Sequence, residues 1–288
     1  MSPAASPSVA TPADLTITPR NIAFGRGAAN PRWWLGGDPV ATTFYNALSV
    51  TFPQGEGFFI ESVRHFKDEV PPELKEQIAA FIKQEALHTR EHVAFNRQVT
   101  DHGYDISRME AGTKARLDLS RARHPVAQLA VTIALEHFTA IIAHAILADP
   151  RHLKGAPDEV RRLWLWHALE EVEHKAVAYD TYLHVTRNLS AFRRWSIRVR
   201  VMLLVTWNFI KYRKTDMADF YQQDGIRNAG TWWRTLKFLF ARPGLVPAIL
   251  KPYLSFYRPG FHPWDHDDRD LLRRAESELA ATSPAPAQ

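Results

Sequence analysis

The chain contains no cysteine. That absence excludes disulfides, zinc fingers, thiolate iron–sulfur clusters and a cysteine nucleophile. Any bound metal must be held by nitrogen and oxygen, drawn from 13 His and 31 Asp plus Glu. Long apolar runs are scarce as well. The run over residues 201–210 has 10 residues, short of the roughly 20 that span a bilayer as a helix. A mean hydropathy of −0.29 with 23% charged residues excludes both a polytopic membrane protein and a wholly disordered chain. Strand-like alternation is missing between residues 53 and 187. The first residues, to about Asp14, are Pro, Ala, Ser and Thr without a basic start or an apolar core. They read as a disordered tail and not as a secretory signal, and the Ala/Pro-rich end after Leu279 reads as a second tail.

What is present is a core-sized stock of apolar side chains, 45% of 288 residues, enough for one or two domains. The net charge of +5 is unevenly spread. Residues 187–258 hold 14 Lys plus Arg against 3 Asp plus Glu, so the rest of the chain is net acidic.

Residues 15–47 read as an irregular arm, with Arg32-Trp33-Trp34 and Gly36-Gly37-Asp38-Pro39 marking turns. A helix is expected after Pro53, through Glu56, Phe58, Phe59, Val63 and Phe66. Val70-Pro71-Pro72-Glu73 ends it and opens a second helix over about 73–99, because proline fits a helix's first turn and not its interior. A third follows Pro125, is apolar on most sides and stops at Asp149-Pro150. Asp158 is expected to cap a fourth, over about 159–185. The fold class is therefore all-α: a four-helix bundle of two hairpins with additional C-terminal helices.

Each of these helices places a carboxylate among apolar neighbours. The second carries Glu85-Ala86-Leu87-His88 and the fourth Glu171-Val172-Glu173-His174, two E-x-x-H pairs; the third carries Glu136 and the first Glu56. Residues three apart on a helix lie about 60° apart around its axis, so each pair aims at one centre. Two such pairs plus one Glu on each of two other helices match the pattern of di-iron and di-manganese carboxylate bundles. Hairpin geometry sets the heights. From a turn at Pro71, Glu56 lies 15 residues back, and Glu85 and His88 lie 14 and 17 on. From a turn at Lys154, Glu136 lies 18 back, and Glu171 and His174 lie 17 and 20 on. Glu61, only 10 back from Pro71, is out of level. His167, four before Glu171, extends the stripe as a seventh ligand. His92 shares the face of Glu85 one turn out of level and stands as a replacement or support for His88. Glu170 and Glu173 point away from Glu171 and read as solvated or supporting; lone His137, His144 and His184 read as packed or capped. Four converging buried carboxylates need compensating charge, which favours metal over a merely charged bundle. The oxygen-rich set suits two iron ions, manganese or a mixed pair, better than tetrahedral zinc.

Phe52-Pro53-Gln54-Gly55-Glu56-Gly57-Phe58-Phe59, the two E-x-x-H pairs, Glu136-His137-Phe138 and Phe261-His262-Pro263-Trp264 resemble a bacterial family labelled predicted metal-dependent hydrolases, over residues 41–267. The seven ligand positions alone resemble those of di-iron N-oxygenases acting on aryl amines. That resemblance implies a ferritin-like fold and oxygen chemistry. The resulting organisation is a flexible arm (1–40), a ferritin-like di-metal bundle (41–187), a basic aromatic helical region (188–270) and a tail (271–288). The leading expectation is a di-iron oxygenase or oxidase that uses dioxygen, with an external electron donor, to oxidise an apolar or amphiphilic small molecule beside Phe58, Phe59 and Phe138. The alternative is a di-metal hydrolase using a bridging hydroxide. A third is a non-catalytic iron-handling or membrane-associated helical protein.

The basic third alternates Arg193, Arg194, Arg198, Arg200, Lys211, Arg213 and Lys214 with Trp195, Trp207, Phe209 and short aliphatic runs. That pattern suits a helix lying in a membrane interface or packed over the bundle, and not a nucleic-acid reader. The expected location is the cytoplasm, at the inner membrane face if residues 193–258 touch lipid. His262, Asp265, His266, Asp267 and Asp268 read as a capped turn and not as a metal site.

Overall fold

Asp38 accepts a hydrogen bond from the Val40 N–H, and Pro39 fills the first helical turn, where a missing N–H costs nothing. The first helix, α1, therefore runs over Pro39–Arg64, more than a dozen residues earlier than the expected start after Pro53. Pro53 lies inside it. A proline in a helix interior strands the carbonyl four residues back, here that of Ser49. The Asn96 side-chain amide donates to that carbonyl at 3.1 Å, so a neighbouring helix supplies what proline withholds.

The computed structural model describes residues 11–24 and 29–281. After α1 come α2 (Pro72–Asp101), α3 (Ser107–Arg121), α4 (Pro125–Ala148), α5 (Asp158–His174), α6 (Val177–Val185), α7 (Ala191–Gln223), α8 (Ala229–Phe240), α9 (Leu245–Ser255) and α10 (Arg269–Ala281). No strand occurs among the described residues, so the fold is all-α. α1 packs along α2, α4 along α5, and α1 also touches α4. α7 lies across α1 and α4, while α8 packs on α1, α9 on α4, and α8 on α9.

Several boundaries differ from expectation. Asp158 is the first residue of α5 and makes no capping bond; with Glu159 it supplies negative charge to the first turn. The expected fourth helix is interrupted after His174, where the Lys175 ammonium bonds Asp268 at 2.6 Å. α3 occupies a stretch where no helix was expected. It buries only Met109, Thr113 and Leu117, a stripe one residue wide that leaves little apolar periodicity to read. The expected C-terminal tail from 271 begins instead as α10, whose Leu271, Leu272, Ala275 and Leu279 are buried against the body. The tails over 1–10 and 282–288 lie outside the described residues.

α4 is long and apolar enough to cross a membrane, yet most of it is buried inside the protein. It is the central helix of the core and carries Glu136 inward.

Candidate metal centre

Glu56 comes from α1, Glu85 and His88 from α2, Glu136 from α4, and His167, Glu171 and His174 from α5; all seven are buried. The E-x-x-H spacing does what helix geometry requires, and both pairs face one point between the hairpins. His174 Nε2 lies 3.1 Å from Glu85 Oε1, 3.4 Å from Glu136 Oε2 and 3.7 Å from Glu171 Oε1. His88 Nδ1 lies 3.4 Å from Glu171 Oε1 and 4.0 Å from Glu85 Oε2. His167 Nε2 lies 3.0 Å from Glu171 Oε1. Glu56, Glu85 and His88 offer donor atoms within 4.8 Å of one another, as do Glu85, Glu171 and His174, and His88, His167 and Glu171.

The second ring nitrogen of each histidine is occupied behind the cluster. His174 Nδ1 meets Gln84 Oε1 at 2.9 Å, while the same amide's nitrogen donates to Glu173 at 2.9 Å. His88 Nε2 meets Glu170 Oε2 at 3.1 Å. His167 Nδ1 meets His92 Nε2 at 2.6 Å, and His92 Nδ1 meets Ser49 Oγ at 2.8 Å. Here the tautomers follow from the proline in α1. Asn96 spends its NH₂ on the stranded Ser49 carbonyl, so its Oδ1 accepts from Ser49 Oγ at 2.7 Å. Ser49 Oγ must then accept from His92 Nδ1–H, and His92 Nε2 from His167 Nδ1–H. That leaves His167 Nε2 as a bare lone pair facing the Glu171 oxygen. Two acceptors at that distance need a shared proton or a metal ion to offset their repulsion.

His92 also stands within 4.8 Å of Glu56 and His167 donor atoms, but both its nitrogens are engaged, so it supports His167. Glu170 and Glu173 are buried, not solvated. Arg20 clamps them from the N-terminal segment, through its backbone N–H to Glu170 at 2.7 Å and its guanidinium to Glu173 at 2.7 Å. Gln84 and the arm residue Arg20 were not singled out in the sequence, and of the two readings given to Glu170, solvated or supporting, the structure takes the supporting one. Gln84 adjoins Glu85, but only the approach of His174 gives it a role.

The donor set fits metal on the structure's own terms. Eight buried atoms of this cluster have no hydrogen-bond partner: Glu56 Oε1, both oxygens of Glu85 and of Glu136, Glu171 Oε2, His88 Nδ1 and His174 Nε2. Orphaned buried polar atoms are rare, and here they converge. Their titration shows the same conflict. Burial raises Glu136 to about 8 against the opposing pull of His174, and burial with Glu85 nearby drives Glu56 well up. Against its burial, Glu171 is held well below the usual carboxylate range by His174, His167 and His88. Burial is outweighed at His88 too, which Glu170, Glu171 and Glu85 raise to about 10. Burial, then the charge on His88, lowers His167 to about 4. Protons fill the positions that cations would take.

Four further histidines bond outside the cluster. His137 bonds the Pro252 carbonyl, His144 bonds Asp268, and His184 bonds the Glu69 carbonyl. His262 caps the short 3₁₀ turn Pro263–Asp265 and bonds Asp180 at 2.9 Å.

Glu56, His167 and Glu171 form one wall of a cavity of about 210 Å³ that reaches α3 and α7. Phe59 and Phe138 line it as expected, whereas Phe58 sits in the core. No curated protein and no solved structure matches the chain. The family described as predicted metal-dependent hydrolase matches residues 18–267, a span that starts at the Arg20 segment and takes in all seven buried donors, and the chain belongs to that family.

Proposed function

We propose that the protein is a di-metal hydrolase of small amphiphilic molecules. The observation that carries the proposal is the set of eight partnerless donor atoms on four helices, set against an apolar cavity. The family description supports hydrolysis as the reaction. Cations bound there would supply Lewis acidity and lower the pKa of water. The side chains do the rest. Thr89 donates to Glu56 Oε2 at 2.9 Å, leaving Oε1 for the centre. Gln84, Glu170 and His92 hold the three imidazoles so that Nε2, Nδ1 and Nε2 of His174, His88 and His167 face inward. Phe59, Phe138 and Phe209 keep water from the apolar part of the cavity.

A second reading, oxidation of the same substrate class by dioxygen at two irons, draws support from the donor set. Four carboxylates and three imidazoles suit two octahedral-type iron or manganese ions better than zinc. The deciding experiment is metal analysis of protein purified without added metal, then hydrolysis assays with and without oxygen. About two ions per chain with oxygen-independent ester or amide cleavage is the expected result. Two irons, oxygen consumption and no hydrolysis would move the reaction to the second reading, and protein free of metal would overturn both.

The proposal includes entry of the substrate from an anionic lipid surface. Leu203, Leu204, Trp207 and Ile210 of α7, Trp233, Leu236 and Phe240 of α8, and Leu250 and Leu254 of α9 are exposed. Arg200, Lys211, Lys214, Arg234, Lys237 and Lys251 share these helices. Leu204, 59% exposed, also lines the cavity, so the outer apolar face continues into it.

A further inference from the structure

Two arginines share the lining of the cavity. Arg213, on α7, is 8% exposed and lines the cavity. Its Nε and Nη1 have no hydrogen-bond partner. Its Nη2 reaches Thr51 Oγ1 only at 3.4 Å, and Asp216 Oδ2, one turn on, stands 3.7 Å away. A buried guanidinium left with open donors is costly, because the desolvated charge and N–H groups go uncompensated. Arg116, from α3, lines the same cavity. It stacks 3.8 Å over the Tyr212 ring and spends one nitrogen on Thr113. Two guanidiniums thus line one largely apolar space, and the carboxylate beside Arg213, that of Asp216, stands 3.7 Å off. The same cavity is lined by Glu56, His167 and Glu171 and by the apolar side chains of Phe59, Phe138, Leu135 and Phe209.

We propose that Arg213, aided by Arg116, is an anion anchor that holds the carboxylate or phosphate head of an amphiphilic substrate while its apolar body lies toward the metal-facing carboxylates. The proposal rests on the reading of the cavity as the substrate site. A guanidinium fork matches carboxylate and phosphate oxygens and discriminates strongly against a neutral hydroxyl, which leaves the buried charge unpaired. The anchor also orients the ligand, since only one end of an apolar chain carries the anion.

The test is calorimetric binding of decanoate, decyl phosphate and decanol to the full chain, first stripped of metal so that no cation attracts the anion, then metal-loaded. The expected result is decanoate or decyl phosphate binding tighter than decanol, with the preference between the two anions naming the head group. Arg213→Met should weaken the preferred anion by about tenfold or more and leave decanol unchanged, while Arg213→Lys keeps part of the preference. Circular dichroism melting and metal content of both variants report folding separately from binding. Equal affinity for decanol and both anions, or native anion affinity in a folded Arg213→Met, overturns the anchor. Failure to bind metal would sink the di-metal reading without touching this one, because the anion preference is read in metal-free protein.

Discussion

Glu171 Oε1 lies within 3.7 Å of three imidazoles, those of His88, His167 and His174. No other carboxylate of the cluster is so placed, and it alone is driven below the ordinary range. Glu171→Ala should therefore cut bound metal to less than about a tenth of native, measured by elemental analysis of folded protein. Gln84→Leu should weaken metal by about 10- to 100-fold, since it removes the acceptor that sets the His174 tautomer; undiminished affinity would make Gln84 a bystander. The pH dependence follows in sign. Glu136 raised to about 8 and His88 raised to about 10 are protonated in the metal-free protein at neutral pH. Metal must displace those protons, so affinity rises with pH up to about 10, most steeply below about 8 where both protons are displaced, and binding releases acid. Titration calorimetry in buffers of different ionisation enthalpy checks this, and binding without proton release would contradict it. At this scale the two E-x-x-H pairs, Glu56, Glu136 and His167 were legible, because helical spacing puts them on one face. Glu170 was harder to place: it lies about 100° from Glu171 on an isolated helix, and its bond to His88 exists only once α2 lies beside α5.

Proline signals mark the start of α2 and of α4, and there expectation and structure agree closely. Pro53 misled, because a helix interior tolerates proline when an outside donor repairs the stranded carbonyl, and Asn96 lies 43 residues further along the chain. Asn96→Leu should cost about 1–3 kcal/mol, the penalty of an unsatisfied buried carbonyl, and should also loosen His92 and His167; denaturant unfolding with metal titration separates the two effects. The outer faces of α7, α8 and α9 carry the lipid proposal. Trp207, 68% exposed, and Ile210 stand on the α7 face toward solvent. The double change Trp207→Glu and Ile210→Glu should abolish co-sedimentation with anionic vesicles while metal content stays native. Absence of sedimentation by the native chain would remove the membrane from the proposal.

Across the whole molecule, the buried donor cluster carries a desolvation cost that bound metal is expected to relieve. Three carboxylates and two histidines are pushed away from their ordinary ionisation inside the core. Saturating metal at 100 times its dissociation constant should stabilise the fold by about 2.7 kcal/mol per bound ion, read as a rise in melting temperature that chelator reverses. Glu136→Leu should leave the metal-free protein as stable as native or more so, by about 1–4 kcal/mol, while weakening the response to metal. A strongly destabilised Glu136→Leu would mean that the carboxylate holds the fold together by itself.

From the sequence alone follow the all-α class, the nitrogen and oxygen donor chemistry forced by the lack of cysteine, and the seven residues aimed at one centre. Each is a local property: composition, helical period and distance from a turn. The tertiary structure decided what no local pattern encodes. It engaged both nitrogens of His92 and so made it a support for His167. It brought Arg20 from the N-terminal segment onto Glu170 and Glu173, and it left Arg213 buried with open donors in the lining of the cavity that Glu56 and Glu171 also line. Those relations join elements far apart in the chain, and they arise only when packing desolvates the groups and fixes which of them can meet.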